Sequence, residues 1–191
     1  MRRVRYGVGM SLDGFIADHE GGTDWLVADP TYDPGPFFAS IDTVLMGRIT
    51  FEGALRQGMR AYANLRNYVF SRSLRASDYP EVTVIATDAA ATVAQLRRET
   101  GKDIWLCGGG SLFRSLLGAG LVDTVELGVS PLLLGRAGVS MLPSSPELPK
   151  PVRLELTQHQ VLPSGLLVLE YAVHRGAAQQ RAEADGARPG A

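Results

Sequence analysis

One stretch limits the possible fold more than any other. Ile104-Trp105-Leu106-Cys107 is an apolar run that passes directly into Gly108-Gly109-Gly110 and then into Ser111-Leu112-Phe113. A short run without polar alternation, bounded by turn residues, suits a strand buried on both faces, as in parallel sheets covered by helices. The residues after the glycines read as a helix over 111–117. A strand, a glycine turn and a helix in that order form one unit of an α/β fold.

The rest of the chain alternates in the same way. Residues 4–12 read as a first strand, closed by the turn pair Asp13-Gly14. Residues 43–46, 68–70, 82–86 and 124–129 read as further strands, and 49–55 and 89–99 as helices. Residues 152–161 and 166–174, joined by Pro163-Ser164-Gly165, read as a closing β-hairpin. The expected architecture is α/β: a mixed, mostly parallel central sheet flanked by helices, with a C-terminal antiparallel hairpin. Residues 18–35 are rich in Gly, Asp and Pro and read as a long loop, a kind that often carries function.

At 191 residues the chain fits one domain, expected over 1–175. The stretch 176–191 carries no large apolar residue and is expected to be a flexible tail. A net charge of -1 gives no pull toward nucleic acid or an anionic membrane. The single cysteine, Cys107, rules out an internal disulfide. No apolar run has the length of a signal core or a membrane span, so a cytoplasmic protein acting on a small molecule is expected. His19, His159 and His174 lack metal-ligand spacing, and no metal is expected.

Three strand ends carry anion-binding chemistry. At Gly108, Gly109, Gly110 and Ser111 the glycines let a ligand approach the backbone, and the helix start offers unpaired N–H groups and a positive dipole end; the alternative is a tight turn only. At Gly47, Arg48 and Thr50 a strand again ends in glycine before a helix, and Arg48 offers a planar fork of donors; the alternative is an exposed arginine at a helix start. At Ser71 and Arg72 a hydroxyl and a guanidinium at a strand end suit a ribose 2′-phosphate; the alternative is an ordinary polar loop.

The order Ser11-Leu12-Asp13-Gly14-Phe15-Ile16-Ala17, then Met46-Gly47-Arg48-Ile49-Thr50-Phe51-Glu52, then Ser71-Arg72, then Gly108-Gly109-Gly110, resembles the dihydrofolate reductase-like superfamily. Ser130-Pro131-Leu132-Leu133-Leu134-Gly135 resembles its branch around the reductase domain of bacterial riboflavin deaminase/reductase. The resemblance implies NADPH as cofactor and hydride transfer to a small C=N or C=O substrate. It assigns Gly47, Arg48 and Thr50 to the cofactor phosphates, Ser71 and Arg72 to the 2′-phosphate, and Gly108 to Ser111 to the pyrophosphate. It sets Gly9, Ile16 and Phe113 beside the nicotinamide, and it suggests a homodimer. True dihydrofolate reductase and a nucleotide-binding module without turnover are the alternative functions.

Three carboxylates are candidates to orient the substrate or deliver a proton. Asp13 follows the first strand in the turn between Gly9 and Ile16. Dihydrofolate reductases carry an acidic residue at the start of their first long helix. Counting from Trp25 points to Asp29, and counting back from Met46-Gly47-Arg48 points to Asp33. Pro34 and Pro36 suit a loop there better than a long helix.

Overall fold

The computed structural model describes residues 1–135, 138–143, 148 and 151–174. The expected tail over 176–191 lies outside the described residues. The elements follow in chain order as β1 Val4–Ser11, β2 Phe15–Asp18, α1 Gly35–Ala39, β3 Ile41–Gly47, α2 Arg48–Arg56, β4 Arg66–Phe70, β5 Thr83–Ile85 and α3 Ala89–Arg98. They continue as β6 Asp103–Gly108, α4 Gly110–Gly118, β7 Thr124–Ser130, β8 Gly138–Ser140, β9 Leu154–Val161 and β10 Leu167–Val173.

Eight strands form one sheet in the order β5-β4-β3-β6-β1-β7-β10-β9. Neighbours from β5 to β7 are parallel, and β10 and β9 add antiparallel. The expected sheet and hairpin are both present. The short antiparallel pair β2·β8 was not foreseen, because strands of four and three residues are too brief for a period-2 pattern to stand out.

The alternation of side chains along each strand divides the core in two. On one face Val4 and Tyr6 of β1, Ile104 and Leu106 of β6, and Val125 and Leu127 of β7 meet α3 and α4 through Val93, Leu96, Leu112, Phe113, Leu116 and Leu117. These helical positions recur at spacings of three and four, the apolar stripe a covering helix requires. On the other face Val44 and Met46 of β3 and Val69 of β4 pack against Phe51 of α2. Phe51 is 1% exposed, burial that contributes roughly 1.5–3 kcal/mol.

Candidate active site

Strands β4, β3, β6 and β1 are consecutive neighbours and run the same way. Their C-terminal ends therefore lie side by side along one sheet edge. In spatial order the edge carries Ser71 and Arg72 after β4, Gly47 and Arg48 after β3, and Gly108 to Ser111 after β6. Gly9 and the Asp13 turn at the end of β1 come next. With strands about 4.8 Å apart, β4 and β1 are separated by about 14 Å. The three phosphate-type ends, scattered over some 60 residues of sequence, form one row.

At the centre of the row two helices begin next to each other. α2 starts from Gly47 and α4 from Gly109, and neither has a side-chain cap. A Cβ on Gly47 would sit 3.8 Å from the backbone nitrogen of Gly109, and one on Gly109 would sit 3.3 Å from Thr50 Oγ1. The first turn of each helix leaves its early N–H groups without intrahelical partners. Two such ends beside each other make a local positive potential suited to an anion. Gly108 has φ +141, a conformation that favours glycine, and its peptide bond to Gly109 is cis.

The side chains around this centre differ in how committed they are. Arg48 is exposed, and its Nη1 donates to both oxygens of Glu52 at 2.9 and 2.8 Å. The buried Ser71 accepts from the backbone N–H groups of Ser73 and Leu74 at 3.2 and 3.1 Å. Its oxygen thus organises the turn that presents the exposed Arg72. No ion pair or side-chain hydrogen bond engages Arg72 among the described residues. Ser111 is exposed on the first turn of α4, and Ile16 is half-buried in β2.

Three of the expected site positions are engaged by the protein's own packing. Gly110 lacks a side chain because of the protein itself: a Cβ there would come within 2.6 Å of the Ser140 oxygen and 2.7 Å of the Met141 oxygen. Phe113 is turned inward, 2% exposed, with its ring stacked on Tyr6 at 3.7 Å, as part of the core. The space above Gly9 holds Leu26, whose Cδ2 would lie 2.7 Å from a Cβ on that glycine.

The three candidate carboxylates serve the loops. Asp13 is exposed; it accepts from Ser11 Oγ at 2.6 Å and from the N–H groups of Leu134 and Gly135 at 3.1 and 2.7 Å. These bonds, the Ser11 hydroxyl first, hold it below the usual carboxylate range, the reverse of the elevation expected for a proton donor. Asp29 accepts from Thr31 Oγ1 at 2.5 Å, Thr31 N at 2.8 Å and Ser164 N at 2.9 Å, tying the long loop to the β9–β10 turn. Those bonds also hold it well below the usual range. Asp33 is exposed and accepts from Gly35 N at 2.8 Å, at the entry to α1.

Sequence reasoning missed the face of the sheet beside β1. Gly9 of β1 and Gly128 of β7 are register partners, as are Gly7 and Glu126. Glycines inside strands were the available signal, since they mark places where another group approaches the backbone. A cleft of about 380 Å³ between Phe38, Tyr62, Leu65 and Lys102 lies elsewhere, at the edge where β3, β4 and β6 begin. Among the described residues no group of three His, Cys, Asp or Glu side chains could hold a metal ion, and no helix is long and apolar enough to cross a membrane.

Known proteins share this fold. A profile of the family described as RibD C-terminal domain matches residues 2–168. The uncharacterized protein YyaP of Bacillus subtilis is 29% identical over 182 residues, covering 89% of this chain and 94% of that one. A Shewanella sp. PV-4 protein provisionally named for riboflavin biosynthesis superposes with a TM-score of 0.76 at 24% identity, over 92% of this chain and all of the other. Dihydrofolate reductase from Enterococcus faecalis, complexed with NADP(H), superposes with a TM-score of 0.61 at 18% identity, over 91% of this chain and 97% of that one. The fold is dihydrofolate reductase-like.

Proposed function

The chain belongs to the RibD C-terminal domain family, and from that premise we propose that it is an NADPH-dependent reductase of a small C=N or C=O substrate, akin to the riboflavin-pathway reductases. One observation carries the reading: two uncapped helix N-termini, at Gly47 and Gly109, meet on adjacent parallel strands, with Arg72 one strand further along. That spacing follows the order of groups along a dinucleotide. The 2′-phosphate goes to Arg72, the pyrophosphate to the helix starts beside Thr50 and Arg48, and the nicotinamide to the β1 end, where Leu26 covers Gly9. When bound, the cofactor supplies the hydride. The protein's own contribution is to hold the phosphates by N–H groups and arginines and to keep water from the reacting face. Burial of Phe113 behind Tyr6 leaves the nicotinamide end to β1 and the loop over it.

Leu154, Leu156 and Val161 are exposed on the outer strand β9. They provide an apolar edge for the homodimer that we propose with this function.

Titration with NADPH and NADH, read by nicotinamide fluorescence, tests the assignment. NADPH should bind more tightly. Arg72→Ala should weaken NADPH about 10- to 150-fold, the equivalent of roughly 1.5–3 kcal/mol for a charge-assisted contact, and leave NADH within twofold. Equal loss for both cofactors would contradict the 2′-phosphate assignment.

A second reading, a cofactor-binding module without turnover, draws on the engagement of Asp13, Asp29 and Asp33 in loop hydrogen bonds. NADPH oxidation with any member of a broad carbonyl and imine panel decides against it.

A further inference from the structure

The outer strand of the sheet is an unprotected edge. β9 closes the row after β10, and all eight of its residues are exposed. An edge strand offers unpaired N–H and C=O groups to any other strand, and proteins usually blunt it by shortness, lysine or proline. At the other edge β5 has only three residues. β9 reads Leu154-Glu155-Leu156-Thr157-Gln158-His159-Gln160-Val161, with neither lysine nor proline. Among the described residues no strand lies beyond it.

A bulge sets which way these residues turn. Gln158 stands opposite Glu170 and Leu156 opposite Tyr171, so Thr157 is an extra residue in β9. Its Oγ1 donates to the Glu170 carbonyl oxygen at 3.0 Å. Leu162 N donates to Leu166 O at 2.9 Å, and His174 N to Arg153 O at 3.0 Å, so Arg153 and Leu162 direct their backbone groups to β10. Alternation from these two ends turns the backbone groups of Leu154, Leu156, His159 and Val161 outward. The same side chains share the face of their β10 partners Val173, Tyr171, Leu169 and Leu167, which pack against the main core. With the bulge in the middle, the outward positions read the same in both directions: Leu154 and Leu156 from one end match Val161 and His159 from the other. A second copy of the strand, antiparallel about a two-fold axis between Thr157 and Gln158, therefore pairs all of them in one register. Leu154 of one copy then faces Val161 of the other, Leu156 faces His159, and Glu155 faces Gln160, so the acidic residues of the two copies stay apart. We propose that β9 pairs with β9 of a second copy in this register and joins the two sheets into one. The inference rests on the homodimer proposed above and specifies its interface.

Cysteine pairs in the full chain test the register. Glu155 and Gln160 would form a cross-strand pair without hydrogen bonds between them, with Cα atoms about 4.5 Å apart, within reach of a disulfide. Under mild oxidation the double variant Glu155→Cys/Gln160→Cys should run as a covalent dimer on a non-reducing gel. Either substitution alone, whose cysteine meets no cysteine in this register, should give about a tenth as much or less. Sedimentation velocity should show a wild-type dimer, and Leu156→Lys should weaken it about tenfold or more, because lysine at an edge opposes strand pairing. Cross-linking by either single variant as strong as by the pair, or a Leu156→Lys protein that dimerises like wild type, would overturn this interface and leave the homodimer standing. A monomeric wild type would overturn both and give the edge to a different partner. Failure of NADPH to bind the cross-linked dimer would sink the reductase reading and leave the β9 interface standing.

Discussion

Gly47 and Gly110 flank the proposed pyrophosphate site, yet their lack of a side chain has different causes, and substitution by alanine separates them. At Gly110 the new Cβ would meet Ser140 O at 2.6 Å, Met141 O at 2.7 Å and Pro143 Cδ at 2.8 Å. Two of these atoms are backbone and cannot swing away. Overpacking of this kind costs about 1–3 kcal/mol, and the gain in helix propensity returns at most about 1 kcal/mol. Gly110→Ala should therefore lose about 1–2 kcal/mol, a fall in melting temperature of about 2–8 °C for a domain of this size. At Gly47 the backbone is extended, φ -80 and ψ 165, and the nearest atom to a Cβ is 3.8 Å away. Gly47→Ala should cost well under 1 kcal/mol, yet its methyl group points at Gly109 N, where the pyrophosphate is proposed to sit. Its NADPH affinity should fall at least tenfold. Differential scanning fluorimetry with and without NADPH reads both effects in one experiment. A Gly110→Ala protein as stable as wild type, or a Gly47→Ala protein that binds NADPH normally, would refute the division.

Two further outcomes follow from the packing of Phe113 and the bonding of Asp29. Asp29 has its pKa lowered by the fold, so it contributes stability that is full above the ordinary aspartate value near 3.9 and is lost as pH falls below it; Asp29→Asn should lower the melting temperature at pH 7 and flatten its decline below about pH 4, and an unchanged acid limb would contradict the anchor role. Phe113→Ala should destabilise the chain by about 3–5 kcal/mol as a buried ring is removed, whereas Phe113→Leu should leave the NADPH affinity of folded protein within twofold; a selective loss of affinity would return Phe113 to the nicotinamide site.

Elements with several consecutive apolar residues or a clear helical stripe were legible in the sequence. The strand read over 103–107 stops one residue short of β6, and the helix read over 89–99 runs one residue past α3. The strand-to-helix turns at Gly47 and Gly109 were legible too, because glycine before a helix has a local meaning that survives folding. What escaped depends on long-range contacts. Gly110 owes its identity to residues 30 positions later, Gly9 makes room for Leu26, and Asp29 reaches Ser164 across 135 residues. Asp13 and Asp29 looked free because a sequence lists a carboxylate without its donors, and backbone N–H groups of a distant loop leave no trace in composition. Glu170 stands within the apolar run Leu167-Val168-Leu169-Glu170-Tyr171. Only the register sets it opposite Glu126 of β7.

The most direct test of the central claim is a crystal structure of the chain with NADPH. The account predicts the pyrophosphate between Gly47 and Gly109, accepting from the N–H groups that open α2 and α4, with the 2′-phosphate on Arg72 and the nicotinamide against the end of β1. A cofactor lying instead in the cleft between Phe38, Tyr62 and Lys102 at the opposite sheet edge, or running along the glycine edge with its adenosine at β1, would contradict it.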